Sequence, residues 1–427
     1  MLRRVQILNY RCLRYVDVRL DHFRLLVGAN ASGKTTFMDA LAFVGDLVSD
    51  GLEDAVVKRT RNFQDLVWNR PKDEASLGFE LALEFEIPEK LQEQLSRGKR
   101  PRGKRFGCFR YEVKIGIEAE SRQLAILREL GTLKPAVTPE PQELPLHFPA
   151  PPEPPGTVLM PRVRDGSEKV ILSKTDSGRD NFYAEVGSRI YPFRFKAQES
   201  TLGHIINDEN KFPVATWVHK TLKNNVQRLI LNSVNMRKSS APDLGVVQFA
   251  TDGSNLPWAV QRLQKQNEVD YKEWLTHLQY ALPDLYNIRV VERPEDRHSY
   301  LMLRYKTGLE VPSWMASDGT LRLLALTLLA YLPDSRGLYL LEEPENGIHP
   351  QAVEPMYQSL SSVYGAQVFV ATHSPVLLHL AEQNTILCFS KNEEGATDIV
   401  RGEEHPALRK WQGDMDLEMI FASGLLG

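Results

Sequence analysis

The chain has 427 residues, 42% of them apolar and 25% charged, a composition that fits a folded globular protein with room for two or three domains. A formal net charge of −3 excludes the global basic field that advertises nucleic-acid binding, although a local patch escapes this argument. No apolar run is long enough to cross a bilayer, the start lacks a signal-like apolar stretch, and Cys12, Cys108 and Cys388 stand at no metal-ligand spacing, so a cytoplasmic protein with reduced thiols is predicted.

Residues 1–27 hold three short apolar runs, at Val5–Leu8, Val16–Leu20 and Leu25–Val27, which predict three strands. Arg11 falls on the first turn, either as a solvated turn arginine or as a contact to nucleotide or nucleic acid. Gly28-Ala29-Asn30-Ala31-Ser32-Gly33-Lys34-Thr35 follows and reads G-x-x-x-x-G-K-[ST], the phosphate-binding loop. Phe23–Val27 before it suits a buried strand, and Thr36–Phe43 after it has helical spacing. The glycines let successive N–H groups turn toward a phosphate, and the helix N-terminus adds its positive end. Lys34 reaches the β- and γ-phosphates, and the Thr35 hydroxyl suits Mg²⁺.

Leu77–Ile87 alternates cleanly, and a similar pattern follows over Phe109–Ile117. Both predict antiparallel strands, the first with a wet outer face. Between them lies a basic run, residues 97–105, read either as a solvated hairpin connection or as a phosphate-backbone binder. Residues 135–161 are too rich in proline for a packed element and predict an extended or disordered insertion. Weak strands are expected at Lys169–Leu172 and Phe182–Val186. Beyond Tyr191 the character changes, with helices predicted over Val214–Leu231, Leu256–Gln264 and Tyr271–Leu282, then strands over Ile288–Val291, Tyr300–Tyr305 and Leu309–Pro312. Ser317-Asp318-Gly319-Thr320 precedes a further helix, Leu321–Tyr331.

Gly337–Leu341 is an apolar strand ending in Glu342 and Glu343. Neighbouring strand residues point to opposite faces, so the two acids must act differently. With a phosphate loop in the same chain, Glu342 is the candidate for the Mg²⁺ shell beside Thr35, and Glu343 for polarising the attacking water. A second buried strand, Gln367–Ala371, leads into Thr372-His373-Ser374, where His373 is placed to contact the γ-phosphate.

This order of motifs resembles an ABC-type ATPase head of the soluble branch that includes the SMC, RecF and OLD families. It is similar above all to the prokaryotic ATPases with an S-D-G-T signature and an E-E-P-E-N-G-[IL]-H-P block, here Glu342 to Pro350. The resemblance implies an α/β fold with an antiparallel β subdomain and a mainly helical second lobe. The first lobe would comprise residues 1–197 and 333–427, and the signature lobe residues 198–332. ATP and Mg²⁺ are the implied cofactors. Gly28, Asn30, Ser32, Gly33, Lys34, Thr35 and Thr36 would hold the triphosphate, with Lys34, Glu343 and His373 serving catalysis. Ser317, Asp318 and Gly319 would cap the γ-phosphate of an opposing subunit, and Glu345–His349 would cross between subunits. Gln198, at the change in composition, is the expected glutamine-loop residue, joining Thr35 and Glu342 at the metal. Gln64 comes too early in the chain for that role.

Glu342 stands where Asp is usual, and the roughly fifty residues after His373 leave no room for a TOPRIM domain or SMC arms. The implied function is an ATP-switched homodimer of slow basal turnover. It would act on DNA or RNA, or on a separately encoded effector such as a nuclease, in anti-phage defence or DNA repair. The alternative is a nucleotide-dependent scaffold without nucleic-acid contact. The stretch Trp411–Phe421 reads as a partner-docking helix or as one packed on the lobe.

Overall fold

The computed structural model describes residues 1–71, 77–96, 106–136, 144–161, 167–175, 180–242, 248–333 and 335–409. The basic run 97–105 and the Trp411–Phe421 stretch lie outside the described residues. The chain opens with strands β1 (Leu2–Tyr10), β2 (Leu13–Arg19) and β3 (Phe23–Gly28), then helices α1 (Lys34–Asp50) and α2 (Leu52–Val57). Next come β4 (Gly78–Glu86), α3 (Glu89–Ser96), β5 (Phe106–Ile117), β6 (Leu124–Pro135), β7 (Lys169–Thr175), β8 (Asp180–Tyr183) and β9 (Ile190–Phe193). The following part holds α4 (Pro213–Asn225), β10 (Val226–Leu229), α5 (Ser233–Arg237), α6 (Leu256–Gln266), α7 (Glu268–Ala281), β11 (Leu285–Glu292), β12 (Ser299–Tyr305), β13 (Glu310–Pro312) and α8 (Asp318–Leu328). The last part is β14 (Gly337–Glu342), α9 (Pro350–Ser361), β15 (Ala366–Ala371), α10 (Pro375–Leu380), β16 (Ile386–Lys391), β17 (Thr397–Arg401) and α11 (Pro406–Arg409).

The described strands form three sheets. The central one has the order β10-β14-β15-β3-β16-β17 and is parallel except for β17. Its inner strands are buried on both faces, as apolar runs such as Leu25-Leu26-Val27 and Leu338–Leu341 require. Alternate side chains enter different cores. Leu26, Leu340 and Phe369 pack with α1 and the antiparallel sheet, whereas Val27, Leu341 and Val370 pack with α6–α9. The antiparallel sheet has the order β2-β1-β4-β5-β6-β7-β8-β9. The third sheet, β11-β12-β13, lies within the segment expected to be mainly helical, so that segment is mixed.

Among the departures of the structure from the sequence expectations, three are informative. The helix predicted over Val214–Leu231 ends at Asn225, and the chain continues as β10 beside β14. Val226 and Leu229 keep helical spacing, but the open edge of β14 takes residues 226–229 as a parallel strand, in which Gln227 and Leu229 are buried and Arg228 is exposed. β6, which lacks clean alternation, is a full strand of twelve residues that the sequence does not predict.

The third departure is the outer face of β4, which is dry. Glu80 and Glu84 are only 4% and 2% exposed. Arg110 Nη1 pairs with Glu84 at 2.9 Å, and Lys134 Nζ with the same oxygen at 3.1 Å. Part of the proline-rich segment covers them. Thr157 Oγ1 and Val158 N donate to Glu80 at 2.7 and 2.9 Å, Met160 N donates to Glu112, and Arg110 donates to the Val158 carbonyl. Val158 packs between Leu8 and Ala82. The described part of this segment, 144–161, forms no helix or strand, as its prolines dictate, yet it is strapped to the sheet. Its other end is held by Ala150 N on Asp398 Oδ2 at 2.7 Å and by Phe148 against the His405 ring.

Glu129 on β6 secures the turn that follows β9. Fully buried, it accepts from Tyr111 Oη at 2.8 Å, Ser200 Oγ at 2.9 Å, Thr201 N at 2.6 Å and Leu202 N at 2.9 Å. Glu129→Ala strands these donors without an acceptor, and a loss of about 3 kcal/mol in urea unfolding is expected. A loss under about 1 kcal/mol would show that the donors find other partners.

Candidate functional site

Three neighbouring strands of the central sheet, β3, β14 and β15, release their C-terminal ends into one cavity of about 420 Å³. Asn30, Ser32, Gly33, Lys34, Thr35, Thr36, Glu342, Glu343 and His373 line it, with Arg11, Cys12 and Lys391. β3 ends at Gly28, and the loop turns through Ala31 (φ 63°) into Gly33 (φ 111°), the N-cap of α1. Gly33 has no substitute here, because a Cβ would lie 2.4 Å from Thr397 Oγ1 in addition to the positive φ. Lys34 Nζ donates to the carbonyls of Gly28 and Ala29 at 2.7 and 2.9 Å. Burial lowers its pKa to about 8, against the opposing pull of Glu343 and Glu342.

Thr35 Oγ1 donates to Glu342 Oε2 at 2.8 Å. Two hard oxygens so placed match neighbouring positions of a Mg²⁺ octahedron, whose edge is roughly 2.9 Å. Glu343 is not part of the strand. It takes φ 45°, which swings it off the β14 line, and its N–H donates to the Ala371 carbonyl at 2.8 Å. His373 leaves β15 after the fully buried Thr372, and burial together with nearby Lys34 lowers its pKa against the opposing pull of Glu343. Glu345 is raised, chiefly by burial, and accepts from Thr372 Oγ1.

Other expected residues lie outside this cavity. Ser317 and Asp318 are exposed, and with Gly319 they begin α8. Ser317 Oγ caps that helix through Thr320 N at 3.1 Å, and Asp318 pairs with Arg237 of α5 at 2.5 Å. Gln198 does not join Thr35 and Glu342. Its carbonyl accepts from Leu52 N, at the far end of the 17-residue α1, roughly 25 Å along the helix from the loop. The glutamine-loop assignment is therefore corrected: the chain returns to the sheet at β10, not at residue 198. Gln64 lies exposed in a short turn beside the β1–β2 connection.

The side chain that flanks Glu342 is Arg228 of β10, at 2.5 Å from Oε1. Sequence reading missed it because the helical pattern absorbed residues 226–231; the Asn224-Asn225 pair was the available signal for a break in the helix. Arg11 sits at the cavity mouth and pairs with Asp39 of α1 at 3.2 Å.

A phosphate against Lys34 favours its charged form and so raises its pKa. ATP affinity should then be full below about pH 8 and fall about tenfold per unit as the pH rises beyond it, with a proton taken up on binding. Titration calorimetry from pH 7 to 9.5 checks this, and a flat affinity would remove Lys34 from the phosphates. Lys34→Ala should bind weakly and lose the slope.

Comparison with known proteins agrees with this geometry. Residues 1–141 match the family described as "AAA ATPase domain", and residues 161–379 match "AAA domain, putative AbiEii toxin, Type IV TA system". Among solved structures, an Smc head bound to the C-terminal winged-helix domain of ScpA superposes with a TM-score of 0.51 at 14% identity, covering 93% of this chain and 97% of that one. An Smc head with an extended coiled coil, bound to a ScpA domain derived from Pyrococcus furiosus, aligns at 13% identity and a TM-score of 0.48 over 99% and 98% of the chains. The fold is thus that of an SMC-type, ABC-like head, and the chain belongs to the AAA-domain family whose model spans residues 161–379.

Proposed function

We propose that this ATPase works as an ATP-switched homodimer. One observation carries the reading. The loop, both acids and His373 share a cavity, while the Ser317-Asp318-Gly319 motif, with Ser317 and Asp318 exposed, does not line it. A second copy related by a two-fold axis would bring its motif to the first copy's γ-phosphate, and reciprocally.

In this reading Lys34 binds the β- and γ-phosphates, and His373 hydrogen-bonds the γ-phosphate. Thr35 and Glu342 would hold Mg²⁺, which supplies charge neutralisation between the phosphates. Glu343 accepts a hydrogen bond from water and aims it in line with the leaving group. Loss of the γ-phosphate removes what both copies grip, and the dimer loosens.

The output is proposed to reach DNA or RNA, or a separately encoded effector such as a nuclease. The toxin and type IV TA wording of the family description supports defence as the setting. A scaffold role without nucleic acid has one observation in its favour: Arg3, Arg14, Arg289, Arg293 and Arg297 all pair with carboxylates at the surface. Among the described residues no helix is long and apolar enough to cross a membrane, and we place the protein in the cytoplasm.

Glu343→Gln should bind ATP and trap a dimer in light scattering while turnover drops about a hundredfold or more. A monomer with trapped ATP, or wild-type specific activity independent of protein concentration, would defeat the dimer reading. Cation-driven DNA or RNA binding should weaken steeply between 50 and 200 mM salt, roughly as the number of phosphates contacted. No binding even at low salt favours the scaffold.

A further inference from the structure

The turn after Glu343 is built around one side chain that the reading above does not use. Asn346 Nδ2 donates to Glu343 Oε2 at 2.5 Å, and Asn346 N donates to the Glu343 carbonyl at 3.0 Å. The carboxylate of this exposed residue is thereby gripped through one oxygen. Asn346 is itself held from another element, because its carbonyl accepts from Arg322 Nη1 at 3.1 Å. Arg322 stands on α8, about one turn beyond the Ser317-Asp318-Gly319 motif. The same helix start rests directly on the turn: a Cβ on Gly319 would lie 2.3 Å from the Gly347 carbonyl oxygen. The two backbones lie close enough to leave no room for a side chain between them, so α8 cannot move toward the turn without displacing it.

We propose that Asn346 is the positioning residue for Glu343, and that Arg322 ties its placement to the position of the signature helix. The inference rests on the reading of Glu343 as the water-orienting group and deepens it. A copy arriving at Ser317 would displace α8, and the displacement would reach Glu343 through Arg322 and Asn346 within the same chain. Asn346 touches neither phosphate nor water in this scheme; it acts through the carboxylate it holds.

The test is steady-state ATP hydrolysis by the full chain, with nucleotide affinity measured separately with a fluorescent ATP analogue. Asn346→Ala should lower kcat on the order of 30-fold, with KM and analogue affinity within about twofold of wild type. Asn346→Asp, which keeps the shape but cannot donate, should lose as much. Arg322→Ala should lower kcat about fivefold, and the Arg322→Ala, Asn346→Ala double variant should be no slower than Asn346→Ala alone. Wild-type kcat in either Asn346 variant, or single losses that multiply in the double, overturns the proposal. So does a kcat loss accompanied by an equal loss of nucleotide affinity, which marks a merely structural role. Glu343→Gln run alongside separates the two levels. If that variant is arrested and Asn346→Ala is not, the positioning proposal alone falls; if it hydrolyses normally, the reading of Glu343 falls and takes the proposal with it.

Discussion

The constraint behind this structure is a parallel sheet buried on both faces. Val27, Leu341 and Val370 enter one core, and Leu26, Leu340 and Phe369 the other. Along the inner strands a charge meets no water on either face, so an ionisable group there needs a partner, as buried Arg24 on β3 has in Asp21, and is otherwise tolerated where the strand ends. Glu342, Glu343 and His373 therefore gather where β14 and β15 stop, beside the loop that follows β3. Parallel pairing brings those ends together on one edge. The site's location follows from where charge becomes tolerable.

Within the cavity, charges of both signs hold one another. Lys34 is depressed by burial and drawn back by Glu343 and Glu342, while Glu342 lies between the Thr35 hydroxyl and the Arg228 guanidinium. Arg228 comes from β10, whose continuation α5 carries Arg237 onto Asp318 and the Ala316 carbonyl. One short segment thus touches the acid beside the phosphate loop and the start of α8. Asn346 and Arg322 make a second link between the same two regions. In both links a guanidinium or amide group donates to a carboxylate or a backbone carbonyl. This gives each link a defined geometry that apolar packing alone would leave looser.

The proline-rich strap shows how a segment unable to form a ladder still becomes part of a fold. With few N–H groups to satisfy, it lies extended across β4 and β5 and spends its available donors on Glu80 and Glu112. Carboxylates that would otherwise face water become the acceptors that dock it. Its opposite end, on Asp398 and His405, ties the edge strand β17 to the antiparallel sheet.

What the sequence determined by itself is local: the phosphate loop between strand and helix, the acids after an apolar strand, the histidine after another, and the alternation of β4. Each depends on residues adjacent in the chain, whose spacing already contains the period of the element. Only the tertiary structure decided that residues 226–229 pair with β14 and bring Arg228 to Glu342, because a sheet edge open to pairing overrides the helical spacing of so short a run. It also decided that the outer face of β4 is dry, since the strap that covers it lies some seventy residues further on. Gln198 fails for the same reason: its rank in the chain fits the role, but the hydrogen bond to Leu52 places it at the wrong end of α1. Distances between segments far apart in sequence arise from packing, and no local pattern encodes them.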